Sequence, residues 1–411
     1  MEIQTLTRAR ARLLQIYSGA LVTVEGRRCV SDALAGLCLP TQAVNVVAVG
    51  KAASSMMQGA WESLGDRLCA GMVITKYQHT VPLPPFIDVI EAAHPVADEN
   101  SLLAGRALLD FVQACDETVT LLVLISGGAS ALAEVLPANV SLAQLEKINH
   151  WLLSQPLTIH QVNRVRKAIS MIKGGKLAQH LRTPHCWQLT LSDVPGNDLS
   201  VIGSGLLVPD SNTDGTDVVL PEWIQALIPN HTLHITSASN NYQQVHHLIL
   251  ADNAMACAAA EKIAKSLNLK AYTQGPMQGE AEDFGRRVAH FMQGAEPGFY
   301  IWGGETVVAL PASPGRGGRC QQLALAAAIE LDGLENAVVL AAGTDGSDGP
   351  GDVAGAMVDA QTIQRGQDAG FDPVNCLRAA DAGRFLQASG DLIDTGPTGT
   401  NVNDLVLALK W

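Results

Sequence analysis

The feature that most constrains this 411-residue chain is an alternation of short apolar runs with longer helical patterns. Runs rich in Val, Leu and Ile fall at Asn45–Val49, Gly71–Thr75, Asp88–Ala92, Thr120–Ile125 and Gln188–Leu191. Helical periodicity occupies the stretches near 52–64, 99–114, 141–153 and 160–182. Buried strands alternating with helices indicate βαβ units and a parallel sheet. Right-handed crossovers then put every strand's carboxyl end on one rim, where ligands of such sheets bind. A second series begins near residue 232. Strands are expected at His231–Thr236, Leu269–Tyr272, Gly298–Trp302, Ala337–Ala341 and Val402–Leu409, with helices near 241–266, 279–292 and 319–331. Pro209, Pro221 and Pro229 cluster with polar residues at the changeover, so a domain boundary is expected at 210–235. Leu6, Leu13, Tyr17 and Leu21 fall at helical spacing, which reads as an amphipathic helix rather than a signal peptide.

Composition narrows the function. Lys plus Arg is 27 and Asp plus Glu is 40, a formal charge of −13, where a general nucleic-acid binder would be basic. No apolar run approaches the ~18–20 residues of a spanning helix, so no membrane partner is expected. The eight cysteines never lie close enough for C-x-x-C chemistry and do not look like a disulfide framework, which fits a cytoplasmic protein.

Gly-rich or acidic segments follow the expected strands. VAVGKAA at 47–53 runs a strand into Gly50, with Lys51 at a helix start. Free backbone N–H groups there attract anions and Lys51 adds charge. ISGGASAL at 125–132 sets Gly127 and Gly128 between Ser126 and Ser130, a sequence able to form an anion-binding nest. Asp193, in LTLSDVPGNDLSVIGSG at 189–205, directly follows a strand and can orient a hydroxyl, take its proton or hold Mg²⁺. Glu305, in IWGGETVVALP at 301–311, can coordinate a metal or end a turn. Arg319 opens an Ala/Leu-rich helix, an unfavourable place for a cation that an anionic ligand would relieve. AAGTDGSDGPGD at 341–352 offers Asp345, Asp348 and Asp352 as hard-oxygen ligands, and TGPTGTNVND follows at 395–404. Each segment also reads as an ordinary capped turn; their recurrence at strand ends is what makes them informative.

From Lys147 to Ser192 the chain holds seven basic residues, among them Arg166 and Lys173, and no Asp or Glu. Such a window concentrates phosphates and carboxylates, unless acids from elsewhere pair with it. There is no Walker A motif, no G-x-G-x-x-G after a strand and no G-x-S-x-G elbow. The His231/His234 and His246/His247 pairs lack zinc spacing.

These segments, in this order, resemble the class II glycerate kinases (glycerate 2-kinases), formerly labelled hydroxypyruvate reductases of tartrate utilisation. The likeness is carried by VAVGKAA (47–53), AAHPVADE (92–99), ISGGASAL (125–132), VNRVRKAISMIKGGKLA (162–178), LSDVPGNDLSVIGSG (191–205), GGET (303–306), GGRCQQLAL (317–325), AAGTDGSDGPGDVAGA (341–356) and TGPTGTNVNDL (395–405). The usual SGGGS, GGRNQE and GSGPT are SGGAS, GGRCQQ and GSGLL here. The resemblance implies an α/β fold of two α/β/α domains with largely parallel sheets and an interdomain active-site cleft. Residues 1–232 would form a Rossmann-like kinase domain and 233–411 a C-terminal MOFRL-like domain. It implies transfer of the γ-phosphoryl of ATP, with Mg²⁺, to D-glycerate, giving 2-phosphoglycerate. Lys51, Arg319 and Asp193 fall on its catalytic positions. Phosphate and carboxylate oxygens would meet Ser126, Gly127, Gly128, Ser130, Arg166, Lys173, Gly396, Thr398, Gly399 and Asn401. Glu305 and Asp345 would hold the metal, and a homodimer is compatible with this reading. An NAD(P)H-dependent hydroxypyruvate reductase, a kinase of a related sugar acid and a sugar-phosphate sensor are the alternatives; the first lacks the dinucleotide fingerprint.

Overall fold

The computed structural model describes residues 2–155, 157, 159–209, 218–228 and 245–411. It divides into two compact units, residues 26–250 and residues 1–25 with 251–411. The strand expected at 231–236 and the boundary expected at 232/233 lie outside the described residues.

The first unit is built on a six-stranded sheet. Its strands are β1 (Ala43–Val49), β2 (Leu68–Lys76), β3 (Ile87–Ala92), β4 (Val119–Ile125), β5 (Cys186–Leu191) and β6 (Val245–Ala251), in the order β3-β2-β1-β4-β5-β6. The pairings β1–β2, β2–β3, β1–β4 and β4–β5 are all parallel. Val46–Val49 and Thr120–Ile125 are buried without a break, as strands covered by helices on both faces require. Helix Glu99–Ala114 starts where the sequence places it because Asp98 accepts the Ser101 N–H while the Ser101 hydroxyl accepts the Asp98 N–H, a capping box. The order reverses between β1 and β4, so the turns after these strands stand side by side at a switch point.

The second unit holds β7 (Ala271–Thr273), β8 (Gly298–Gly304), β9 (Ala337–Gly343), β10 (Gly355–Asp359), β11 (Leu392–Ile393) and β12 (Asp404–Lys410), ordered β11-β10-β9-β12-β8-β7. The α/β class holds in both units, but this sheet is mixed rather than largely parallel. β7 and β8 pair parallel, whereas β12 lies antiparallel to both β8 and β9, and β10 antiparallel to β9 and β11. The reason is local: a parallel return needs a long crossover, and no helix separates β9 from β10. β10 and β11, unread in the sequence, are short. β6 was hidden because 245–251 looked like the start of the helix beginning at Asn253, whose cap Asp252 accepts the Met255 N–H.

The first helix, Glu2–Thr23, belongs to this second unit, whereas the sequence placed it in a domain of residues 1–232. Its Tyr17 hydroxyl donates to the Gly343 carbonyl (2.6 Å), and Arg10 pairs with Asp359 and Asp391. Among the described residues no helix is long and apolar enough to cross a membrane. No disulfide links any of the eight cysteines.

Candidate functional site

In the first unit the parallel register brings Lys51, Ser126 and Asp193 to one rim. Val49 lies opposite Ile125, and Ile125 opposite Thr190, so the segments after β1, β4 and β5 leave the sheet together. Gly50 is required here: at φ +133°, a Cβ would fall 2.2 Å from the Ser126 hydroxyl oxygen. The N–H groups of this turn are already used. Gly50 donates to Ile74 O (3.0 Å), Lys51 to Gly127 O (2.9 Å) and Ala52 to Ser126 Oγ (3.1 Å). The expected anion site made of free N–H groups at 50–53 is therefore absent. What this turn offers an anion is the half-buried Lys51 side chain.

The SGGAS turn divides in the same way. Ser126 is fully buried and staples the two turns, so its hydroxyl faces protein rather than a ligand. Gly128, at φ +88°, admits two neighbours: an added Cβ would lie 3.1 Å from His94 Cδ2 and 3.2 Å from Lys51 Cγ. His94 was not singled out in the sequence. It follows β3, at the sheet's edge, and its segment crosses the rim to reach the switch point. The Ser130 hydroxyl meets that of Ser204 (2.7 Å), and Gly174 and Gly175 donate to the carbonyls of Ser204 (2.9 Å) and Gly205 (2.6 Å). The KGGK and GSG turns thus brace the SGGAS turn from behind.

Three of the seven residues of the basic window, which was expected to present a field to anions, are engaged by the protein itself. Lys173 is 4 % exposed and its ammonium donates to Glu134, which is 2 % exposed and lies outside the acid-free stretch. Lys176 donates to the carbonyls of Lys167 and Ser170, and burial pushes it down to about 8, with Glu134 opposing that shift and Lys173 adding to it. Arg166 donates to Asn149 Oδ1 (2.9 Å). The substrate-binding reading of Lys173 is corrected: it is half of a buried ion pair.

In the second unit the ends of β8 and β9 and the start of β12 meet at one edge, because Asp404 is in register with both Gly304 and Gly343. Arg319 stands there as the first residue of helix Arg319–Leu331. Asp404, 2 % exposed, holds its guanidinium through Nε (2.5 Å) and Nη2 (3.0 Å), and Glu305 pairs with Nη1 (2.6 Å). Burial opposes the charge on Arg319, but Asp404 and Glu305 outweigh it and raise the pKa. The unfavourable cation at a helix start is thus relieved by these two carboxylates. Asp348 caps the same helix, accepting N–H bonds from Cys320 (3.0 Å) and Gln321 (2.8 Å), and burial lifts its carboxyl to about 6. Asp404 was quoted but not marked in the sequence; an acid immediately before the apolar run Leu405–Leu409 was the available signal.

Asp345 is 6 % exposed, and its Oδ1 accepts the Ser347 N–H (2.9 Å). Asp345 and Asp404 converge over Gly343, where an added Cβ would lie 3.3 Å from Oδ1 of each. Among the described residues no group of three or more His, Cys, Asp or Glu is placed to hold a metal. Magnesium is usually held by one or two carboxylates together with substrate phosphates, so hard oxygens of this kind suit it. The 395–401 loop packs beside Asp345: the Thr398 hydroxyl donates to Thr344 O (2.5 Å), and Gly396 O fills the space beside Gly346. Gly396 and Gly399 take φ of +60° and +75°, and Asn401 is 6 % exposed.

A model described as a domain of unknown function (DUF4147) matches residues 12–226, and one described as the MOFRL family matches residues 298–404. The D-glycerate 2-kinase of Thermotoga maritima is 37 % identical over 96 % of this chain and 97 % of its own length. The glycerate 2-kinase of Pyrococcus horikoshii is 36 % identical over 89 % of this chain and 87 % of its own. A crystal structure of Thermotoga maritima glycerate kinase superposes with a TM-score of 0.81 at 36 % identity, over 98 % of this chain and 99 % of that one. With both family regions matched in order and the relatives aligned nearly end to end, the chain belongs to the class II glycerate kinase family and is a kinase.

Proposed function

We propose that this enzyme transfers the γ-phosphoryl group of ATP to the 2-hydroxyl of D-glycerate, giving 2-phosphoglycerate and ADP. The observation that carries the reading is the placement of Lys51 at the switch point, on the same rim as Asp193, in a chain so close to a D-glycerate 2-kinase. Asp193 takes the proton of the substrate hydroxyl as its oxygen bonds to the γ-phosphorus and the bridging P–O bond to ADP breaks. Lys51 and Arg319 supply positive charge to the phosphoryl oxygens. His94 and the Gly128 turn bind the acceptor beside Lys51. Asp345 and Glu305 would hold Mg²⁺, which would supply neutralisation of the nucleotide phosphate charge. The 396–401 loop borders that region. The reading also has the protein cytoplasmic, in keeping with the lack of disulfides among its cysteines.

The test supplies D-glycerate and Mg-ATP and couples product to enolase without a mutase, so that only 2-phosphoglycerate gives signal. ADP release with enolase turnover supports the proposal. ADP release without it moves the phosphoryl group to another hydroxyl. NADH consumption with hydroxypyruvate, and no ADP, sinks it.

A further inference from the structure

Beside the Arg319 cluster, the second unit contains a cavity of about 410 Å³ that no role so far described uses. It opens at the carboxyl ends of β7 and β8, against the first turns of helix Asn253–Ser266. We propose that it receives the nucleoside part of the phosphoryl donor; this rests on the kinase reading above and names where its nucleotide sits.

Three observations converge. The first is shared structure. Asn253 lines the cavity and donates through Nδ2 to the carbonyls of Val402 (2.8 Å) and Asp404 (3.1 Å), and Asp404 is the residue that clamps Arg319. Gly303 closes the same wall, and Glu305, two residues on, carries the other Arg319 pair. A Cβ at Gly303 would lie 1.9 Å from Asn253 Oδ1, so glycine is needed for Asn253 to stand where it does. A group in the cavity is therefore next to the cation that would meet its phosphates. The second is charge. No lining residue is basic, and the one acid, Glu261, is already held by Lys265 (2.5 Å) and the Thr273 hydroxyl (2.7 Å), so the lining offers no cation to glycerate or a phosphate and suits a neutral ring and its hydroxyls. The third is shape. The volume lies within the range of small-molecule sites, roughly 300–1,000 Å³. Ala254, Ala258 and Gly275 leave flat walls, while the side-chain oxygens of Asn253, Thr273 and Gln274 can accept hydrogen bonds and the second N–H of the Gln274 amide can donate one.

The test fills the cavity without touching the core. The Ala258 side chain is exposed, and a Cβ at Gly275 meets nothing within 4 Å, so Ala258→Tyr and Gly275→Val should fold as the native chain does. ATP and D-glycerate KM are measured for each, together with inhibition by adenosine and adenosine binding by calorimetry. In the native enzyme adenosine should compete with ATP and not with glycerate. Both variants should raise the ATP KM at least tenfold, leave the glycerate KM within twofold and lose adenosine binding. Unchanged ATP KM and adenosine inhibition in both variants, or a rise in glycerate KM instead, overturns the proposal. Should the native enzyme not phosphorylate glycerate at all, the function above fails, and calorimetry with adenosine still decides the cavity by itself.

Discussion

Lys51 owes its position to two hydrogen bonds that lock the turn after β1 against the turn after β4, from Lys51 N–H to Gly127 O and from Ala52 N–H to Ser126 Oγ, so its side chain has a fixed origin. Charge stabilisation from a fixed donor is the kind worth about 2.7–4 kcal/mol in a barrier. Lys51→Ala should therefore lower kcat by roughly 10²–10³-fold with the melting temperature unchanged, read by coupled ADP release. A retained kcat would remove Lys51 from the mechanism. His94 makes a sharper case, because its ring and the Lys51 stem meet over Gly128. His94→Ala should raise the glycerate KM more than it lowers kcat. His94→Asn, which keeps a hydrogen-bonding group but does not titrate, should restore most of the loss if the ring acts by hydrogen bonding. Arg319 differs again, since its removal strands a buried carboxylate. Arg319→Ala should cost activity and about 3–5 kcal/mol of stability, and adding Asp404→Asn should recover stability but not activity, as urea melts and initial rates would show.

At the scale of elements, the sequence was most legible where one force decided the outcome. Helices Glu99–Ala114 and Arg319–Leu331 start at the expected residues because Asp98 and the Gly317–Gly318 pair punctuate them. β1, β2, β4 and β5 were readable as apolar runs because both of their faces are largely covered, whereas β3 at the sheet's edge leaves Asp88 and Val89 exposed. β10 and β11 were not, since a five- and a two-residue strand carry too little pattern to read. Candidate residues were recognised by type, but their partners were invisible. Glu134 lies thirteen residues before the basic window opens at Lys147, yet it is the acid that pairs with Lys173. That pairing has a testable consequence. Lys173→Ala should destabilise the protein by about 3–5 kcal/mol, whereas Lys173→Met with Glu134→Leu should be near neutral in a chemical melt. The double variant should keep the kcat of the native enzyme, which a substrate-binding Lys173 would not allow. Asp348 gives a second consequence, in pH. Its carboxyl is raised from 3.8 to about 6 in the folded chain, so the folded state holds the proton more tightly than the unfolded one. The stability this group contributes is then full below about pH 4 and is lost as pH rises through about 6. Native protein should lose stability relative to Asp348→Asn over that interval.

For the whole molecule, the charge of −13 makes self-repulsion ease as pH falls from neutrality, which by itself favours the folded chain in mild acid. A local network opposes it. Arg10 of the first helix and Arg365 both pair with Asp359 and Asp391, whose side chains are 1 % exposed. Burial works against the Asp359 charge, but Arg365, the Gln361 N–H and Arg10 outweigh it and hold its pKa below 3.8. The sign follows directly: the unfolded chain binds the proton first, so the pair's contribution is full above about pH 4 and is lost as pH falls through the folded value. The long-range term and the network can be separated by difference, because one charge in a largely acidic chain barely alters the overall field. Arg10→Ala should cost about 2 kcal/mol at pH 7, from hydrogen bonds to charged groups, and that gap from the native protein should close as pH drops below 4. Urea melts of both proteins at pH 7, 5 and 3.5 measure it. A gap that stays constant down to pH 3.5 would mean that the first helix is held by its apolar contacts, Leu13, Ile16 and Tyr17, and that Arg10 contributes nothing to its attachment.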